Sequence, residues 1–210
     1  MKNLLVFAPF ISRTNRKFRA PRAGSWKFLG GVCCSLLVSA AAIAEPVGQW
    51  DFEQDTTEWV SWNKSEGKTG ADAGQFISHS NDEGAGETKG CLQIQIPAEL
   101  SEGIHPILLG AAAKIPKILG SEDAPARVRI VLSAKTKGSD GPVFLRIGRA
   151  GGGGEFSKIE LSSDWQQYEA ELSSPLPLHT LLFTPTDKEG VRISESPVLI
   201  DQVKVDEVLE

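Results

Sequence analysis

The sequence predicts an all-β fold, an antiparallel β-sandwich, and three observations carry that expectation. Beyond residue 44, short β-branched or alternating runs recur about every ten to fifteen residues, the spacing of sandwich and barrel strands. Helical periodicity is almost absent from the same stretch. The chain also holds 21 Gly and 12 Pro, which with Asp and Ser punctuate the runs.

In chain order, strands are expected at residues 48–54, 59–63, 75–79, 90–96, 105–109, 126–135, 143–149, 156–161, 166–172, 179–184, 191–194 and 198–205. In Cys91-Leu92-Gln93-Ile94-Gln95-Ile96, the apolar Leu92, Ile94 and Ile96 fall on one face and the glutamines on the other. Val128, Ile130 and Leu132 mark the inward set of a second run, and Val203 and Val205 that of the last. Two sheets stacked on such faces enclose one core. The intervening stretches 63–74, 81–90, 138–142 and the tetraglycine 151–154 read as turns and loops by composition. A short helical turn is expected at 111–114, within 110–125. Neither an internal repeat nor a second domain is visible.

The first 44 residues carry Lys2, Arg13, Arg16, Lys17, Arg19, Arg22 and Lys27, no acid, and then the apolar run 28–44. This is the pattern of an export signal, with cleavage expected after Ala42-Ile43-Ala44. An uncleaved anchor and a lipoprotein acylated at Cys33 or Cys34 are the alternatives, but Gly30, Gly31, Ser35 and Ser39 interrupt the run. The expected organisation is therefore a signal peptide over 1–44 and one exported domain over 45–210, periplasmic or extracellular. Losing seven cations and no acid moves the formal charge from −5 to −12. A surface of that sign disfavours nucleic acid, anionic membrane and densely anionic polysaccharide, and leaves neutral glycans or calcium open. Cys91 is the one cysteine beyond the leader, so no intrachain disulfide can staple the domain.

The order of features along the domain resembles a known family. Trp50-Asp51-Phe52-Glu53 opens it, Trp59 and Trp62 follow, and then come Gly90-Cys91-Leu92-Gln93-Ile94, Asp164-Trp165-Gln166-Gln167-Tyr168 and the closing Val198-Leu199-Ile200-Asp201-Gln202-Val203-Lys204-Val205. This is similar to the jelly-roll carbohydrate-binding modules of the galactose-binding-like superfamily, in particular the cellulose- and xylan-binding group. The resemblance implies a jelly-roll sandwich over residues 47–208 that binds a poly- or oligosaccharide and does no chemistry. It implies a structural calcium on Glu53 and Asp201, which would lie in adjacent first and last strands, with carbonyls near Gly90; ordinary solvent-facing acids are the alternative. It also places Trp50, Phe52 and Trp165 in the core.

Sugar binding asks for flat apolar faces and a few directional polar groups. Trp62, beside polar loop residues, and Arg146, alternating with Phe144, are the first candidates, followed by Phe76 and Arg149. Trp59, His79, Phe144, Phe156, Trp165 and Tyr168 complete the set. Catalysis finds little support: His79, His105 and His179 are scattered, and no nucleophile motif or His-x-x-x-His or Cys-x-x-Cys pattern occurs. The tetraglycine lacks the Gly-Lys-Ser/Thr of a phosphate loop. An exported, non-catalytic module for a neutral glycan is thus the expected function, with a partner enzyme or envelope protein in reach. The alternative is an envelope structural or protein-interaction domain of the same fold.

Overall fold

The computed structural model describes residues 45–209 apart from 82, 122 and 140. The expected signal peptide lies outside the described residues. Two antiparallel six-stranded sheets face each other. The first has the order β10-β7-β12-β5-β4, with β1 added beside β12. Its members are β1 (Gly48–Trp50), β4 (Ile77–Ser80), β5 (Cys91–Ile94), β7 (Ala126–Thr136), β10 (Gln166–Ser174) and β12 (Val198–Glu207). The second has the order β3-β2-β6-β11-β8-β9. It comprises β2 (Trp59–Asn63), β3 (Lys68–Thr69), β6 (Leu109–Leu119), β8 (Val143–Arg149), β9 (Ser157–Leu161) and β11 (Leu178–Thr186).

The core lies where the alternation put it: Leu92, Ile94, Ile96, Ile130, Leu132, Val203 and Val205 are each fully buried. Each such aliphatic side chain contributes roughly 1.5–3 kcal/mol of transfer free energy. Trp50 of the first sheet packs edge-on against Trp59 of the second at 5.4 Å, and Trp59 tilts onto Phe183 of its own sheet at 4.8 Å. An aromatic column thus joins β1, β2 and β11 through the middle of the sandwich.

Four expectations require correction. Residues 111–114 are not a helical turn but part of β6, which pairs with β2 on one side and β11 on the other. Pairing on both edges overrides the helix preference of the alanines there. The run 105–109 is mostly a 3-10 turn, Pro106–Leu108, capped by His105 Nδ1 accepting from the Ile107 N–H at 3.4 Å, because Pro106 has no N–H for a ladder. Residues 191–194 make only an isolated bridge, Thr186 to Ile193, since Asp187 Oδ1 accepts the Val191 and Arg192 N–H groups and turns the chain. Trp165 is half-buried, with the Lys135 ammonium 5.2 Å from its ring centroid, rather than a core residue.

The last strand is bent by a bulge. Its register against β7 slips between Asp201 and Lys204, and Gln202 takes a left-handed φ of 51°. Ahead of the slip β12 also pairs with β5, and beyond it with β1. Strand β1 itself ends where Phe52 adopts a φ of 54°. No helix among the described residues is long and apolar enough to cross a membrane.

Candidate functional site

The second sheet turns one face to the core and leaves the other open. On β2, Trp59, Ser61 and Asn63 are buried inward, which puts Val60 and Trp62 on the outer face. The register then carries this face across the sheet. Val60 lies opposite Ala112, Ala112 opposite Leu182, and Leu182 opposite Gly148. One step along, Trp62 lies opposite Gly110, Thr184 opposite Arg146, and Arg146 opposite Lys158. At about 4.8 Å per strand the first row, over four strands, is roughly 14 Å wide, and the second, extended to Lys158 on a fifth strand, roughly 19 Å.

Small residues keep the middle of this face low. A Cβ on Gly110 would stand 2.4 Å from the Phe183 carbonyl oxygen and 2.6 Å from Thr184 Oγ1. Thr184 Oγ1 is tied down by the carbonyls of Leu109, at 2.6 Å, and Pro106, at 3.1 Å. Trp62 packs on a small apolar group of its own, Ala112, Ala150 and Leu182, separate from the main core. Around it a trough of about 550 Å³ is lined by Val60, Trp62, Thr69, Ala112, Lys114, Pro116 and Thr180, with Thr57 and Glu58 at one end. That volume suits a small-molecule or sugar-sized ligand. The Trp62 indole N–H is buried without an acceptor among the described residues.

Next to the trough is a smaller recess of about 20 Å³, lined by Pro106, Ile107, Arg146, Gly148, Arg149, Phe156, Leu182 and Thr184 together with Gly152, Gly154 and Glu155. The two share a floor, because Leu182 in the recess pairs with Ala112 in the trough. Arg146 is only 7% exposed. Its guanidinium carbon lies 3.4 Å from the Phe156 ring centroid, and one N–H reaches the Gly190 carbonyl at 3.2 Å. Burial pulls its basicity below the usual guanidinium value. Phe156 is 47% exposed, so an aromatic edge remains open to solvent beside the cation.

Of the residues singled out from sequence, Trp62 and Arg146 therefore meet on one face and in one cross-strand row. Phe144 shares that face, with the Lys158 ammonium 5.1 Å over its ring. Arg149 lines the recess but is engaged: its Nε donates to the Pro177 carbonyl at 3.1 Å and another N–H to the Gly152 carbonyl at 2.5 Å. It holds the tetraglycine loop, whose Gly151, Gly152 and Gly153 all have φ between 76° and 86°. Phe76 is 4% exposed within the core cluster and offers no ring to a ligand; it lies just ahead of β4, which begins at Ile77. His79 Nε2 donates to the Phe52 carbonyl at 2.6 Å, at the other sheet. Leu182, Thr184 and Gly148 were missed from sequence; only their strand register reveals them.

Glu53 and Asp201 lie at a different place, under the loop 81–90. Asp201 is fully buried, and its carboxylate accepts the Ala85 N–H at 2.9 Å, the Gln202 N–H at 2.7 Å and the Thr88 hydroxyl. Glu53 accepts the Lys89 N–H at 3.0 Å. Calcium asks for six to eight oxygens turned toward it. Here N–H and O–H donors face the carboxylates instead, and among the described residues no three His, Cys, Asp or Glu side chains converge. The donor set suits a hydrogen-bonded clasp on the loop rather than an ion.

No protein-family model matches the sequence, and no curated protein matches it. Solved structures do. The N-terminal CBM22-1–CBM22-2 tandem domain of Paenibacillus barcinonensis Xyn10C superposes with a TM-score of 0.53 at 15% identity, over 79% of this chain and 47% of that one. The CBM22-1–GH10 modules of Clostridium thermocellum xylanase 10B, complexed with xylohexaose, superpose with a TM-score of 0.51 at 12% identity, over 79% and 29%. The chain has the fold of a jelly-roll carbohydrate-binding module. The jelly roll spans about half of the first of these structures and under a third of the second.

Proposed function

We propose that this jelly roll is a non-catalytic module that binds a polysaccharide along the outer face of its second sheet, and that residues 1–44 export it. The observation that carries the reading is the open trough of about 550 Å³ lined by Ala112 and Thr180 with the Trp62 ring set into it. Its lining combines an indole and aliphatic surface with hydroxyls and one ammonium, the mixture that fixes a pyranose by stacking and by direction. The solved structures of the same fold are carbohydrate-binding modules, one of them holding a xylo-oligosaccharide, and this supports the same class of ligand here. A binding role without chemistry agrees with the trough, where Glu58 is the single acid and is occupied by the Trp50 indole N–H.

Affinity electrophoresis through gels containing xylan, β-glucan or mannan tests the reading. At least one polymer is expected to retard the protein, and Trp62→Ala is expected to release it, whereas His79→Ala on the other sheet is expected to leave retardation intact. Absence of retardation by these polymers and by acidic ones such as homogalacturonan and alginate run beside them would remove the carbohydrate reading.

A further inference from the structure

The recess beside the trough holds a charge that finds no counterion among the described residues. Arg146 is 93% buried, since its exposure is 7%. Among the described residues no carboxylate pairs with it, and one of its five N–H groups is hydrogen-bonded, to a backbone carbonyl. No Arg146 nitrogen is among the fully buried side-chain atoms that lack a partner, so its free N–H groups face the recess, where an anion is the ligand that would meet them best. The size of the recess narrows the choice. About 20 Å³ is room for one water-sized group, such as a single carboxylate oxygen, and far short of a sugar ring. The ring-sized volume lies next door, around Trp62. Lys158 stands one strand over from Arg146, bound to the Lys188 carbonyl, and Lys114 lines the trough. The acids nearby are Glu155, at the exposed rim of the recess, and Glu160, opposite Phe144.

We propose that the groove takes a glycan with sparse carboxylates, a largely neutral chain bearing occasional uronic acids, whose rings lie in the Trp62 trough and whose carboxylate enters the Arg146 recess. This rests on the carbohydrate reading and narrows its ligand. It also reconciles two facts about the molecule: residues 45–210 carry a formal −12, which repels a densely anionic polymer, while the groove gathers cations. A single carboxylate meets the local cations without bringing a polyanion against the whole surface.

The test compares glucuronoxylan, homogalacturonan and alginate, each native and carboxyl-reduced, for binding to the full chain. Glucuronoxylan is expected to bind, and carboxyl reduction to weaken it at least about tenfold, the scale of one charge-assisted contact. Arg146→Gln is expected to lower affinity for native glucuronoxylan to that of the reduced polymer and to leave the reduced polymer's affinity unchanged. Arg146→Lys, which keeps the charge but loses the fork, is expected to fall between. The comparison of native with reduced polymer on the unaltered protein stands even where an Arg146 variant fails to fold. Equal binding of native and reduced glucuronoxylan, with both lost in Trp62→Ala, overturns the carboxylate subsite and leaves carbohydrate binding in place. Loss on reduction that Arg146→Gln does not reproduce in a folded protein overturns Arg146 as the contact. No binding to any polymer, charged or neutral, overturns the carbohydrate reading and this inference with it.

Discussion

Burial pushes the Cys91 thiol up from 9.0 to about 11, with the Asp201 and Glu83 charges adding to the effect and a hydrogen bond with Ser80 opposing it. The side chain has no exposed surface. Because the folded state holds the neutral thiol, the contribution is complete below pH 9 and is lost as pH rises toward 11. At pH 10.5 the unaltered protein is expected to lose about 2 kcal/mol relative to its stability at pH 8, beyond any loss seen in Cys91→Ala. Denaturant midpoints of the two proteins at both pH values check it, and parallel midpoints would refute it. The same residue scale shows what sequence can say about a site. Trp62 and Arg146 stood out as candidates because a large ring beside polar loop residues, and a cation alternating with a ring, are unusual in a strand, and the register sets both on one face. Phe76 was read by the same chemistry and faces the core; a one-residue shift of register decides facing, and composition does not report it. Leu182 and Gly148 carry no chemical mark at all and belong to the groove only because β11 and β8 bring them there.

Among elements, the bulge in β12 has the clearest consequence. It separates the half of the strand that pairs with β5 from the half that pairs with β1, and at that point the buried Asp201 carboxylate receives Ala85, Thr88 and Gln202 as donors. Asp201→Ala leaves the Ala85 N–H without its acceptor, at a cost of about 1–3 kcal/mol. The variant is expected to melt lower and to be nicked sooner by protease within 81–90. Melting of the unaltered protein is expected to be the same in calcium and in chelator. A calcium-dependent rise lost in Asp201→Ala would instead put an ion on Asp201 and Glu53. The closing Ile200-Asp201-Gln202-Val203 announced an acid needing a partner, yet the partner comes from a loop more than a hundred positions away, a separation that local pattern cannot bridge. Strand existence was the more legible part. Residues 59–63 and 143–149 match their observed bounds, while β6 was hidden because Ala111, Ala112 and Ala113 read as helix formers until two neighbouring strands claim them.

For the molecule as a whole, charge acts over two ranges that salt separates. The domain's −12 is spread over its surface, and its repulsion of a polyanion reaches about 10 Å in 0.1 M salt but only about 3 Å in 1 M. The proposed contact at Arg146, a side chain only 7% exposed, is local, so salt would screen it much less. At low salt, glucuronoxylan, with few carboxylates, is expected to bind more tightly than homogalacturonan, with one on nearly every sugar. Raising NaCl is expected to narrow that gap, chiefly by strengthening the weaker ligand, because long-range repulsion fades while the local contact persists. Titrations of both polymers at 20 mM and 500 mM NaCl would show it, these concentrations bracketing roughly a fivefold change in screening length. If both affinities instead fell steeply with salt, the attraction would reside in exposed cations such as Lys114 and Lys158, and the buried guanidinium would not be the group that meets the ligand.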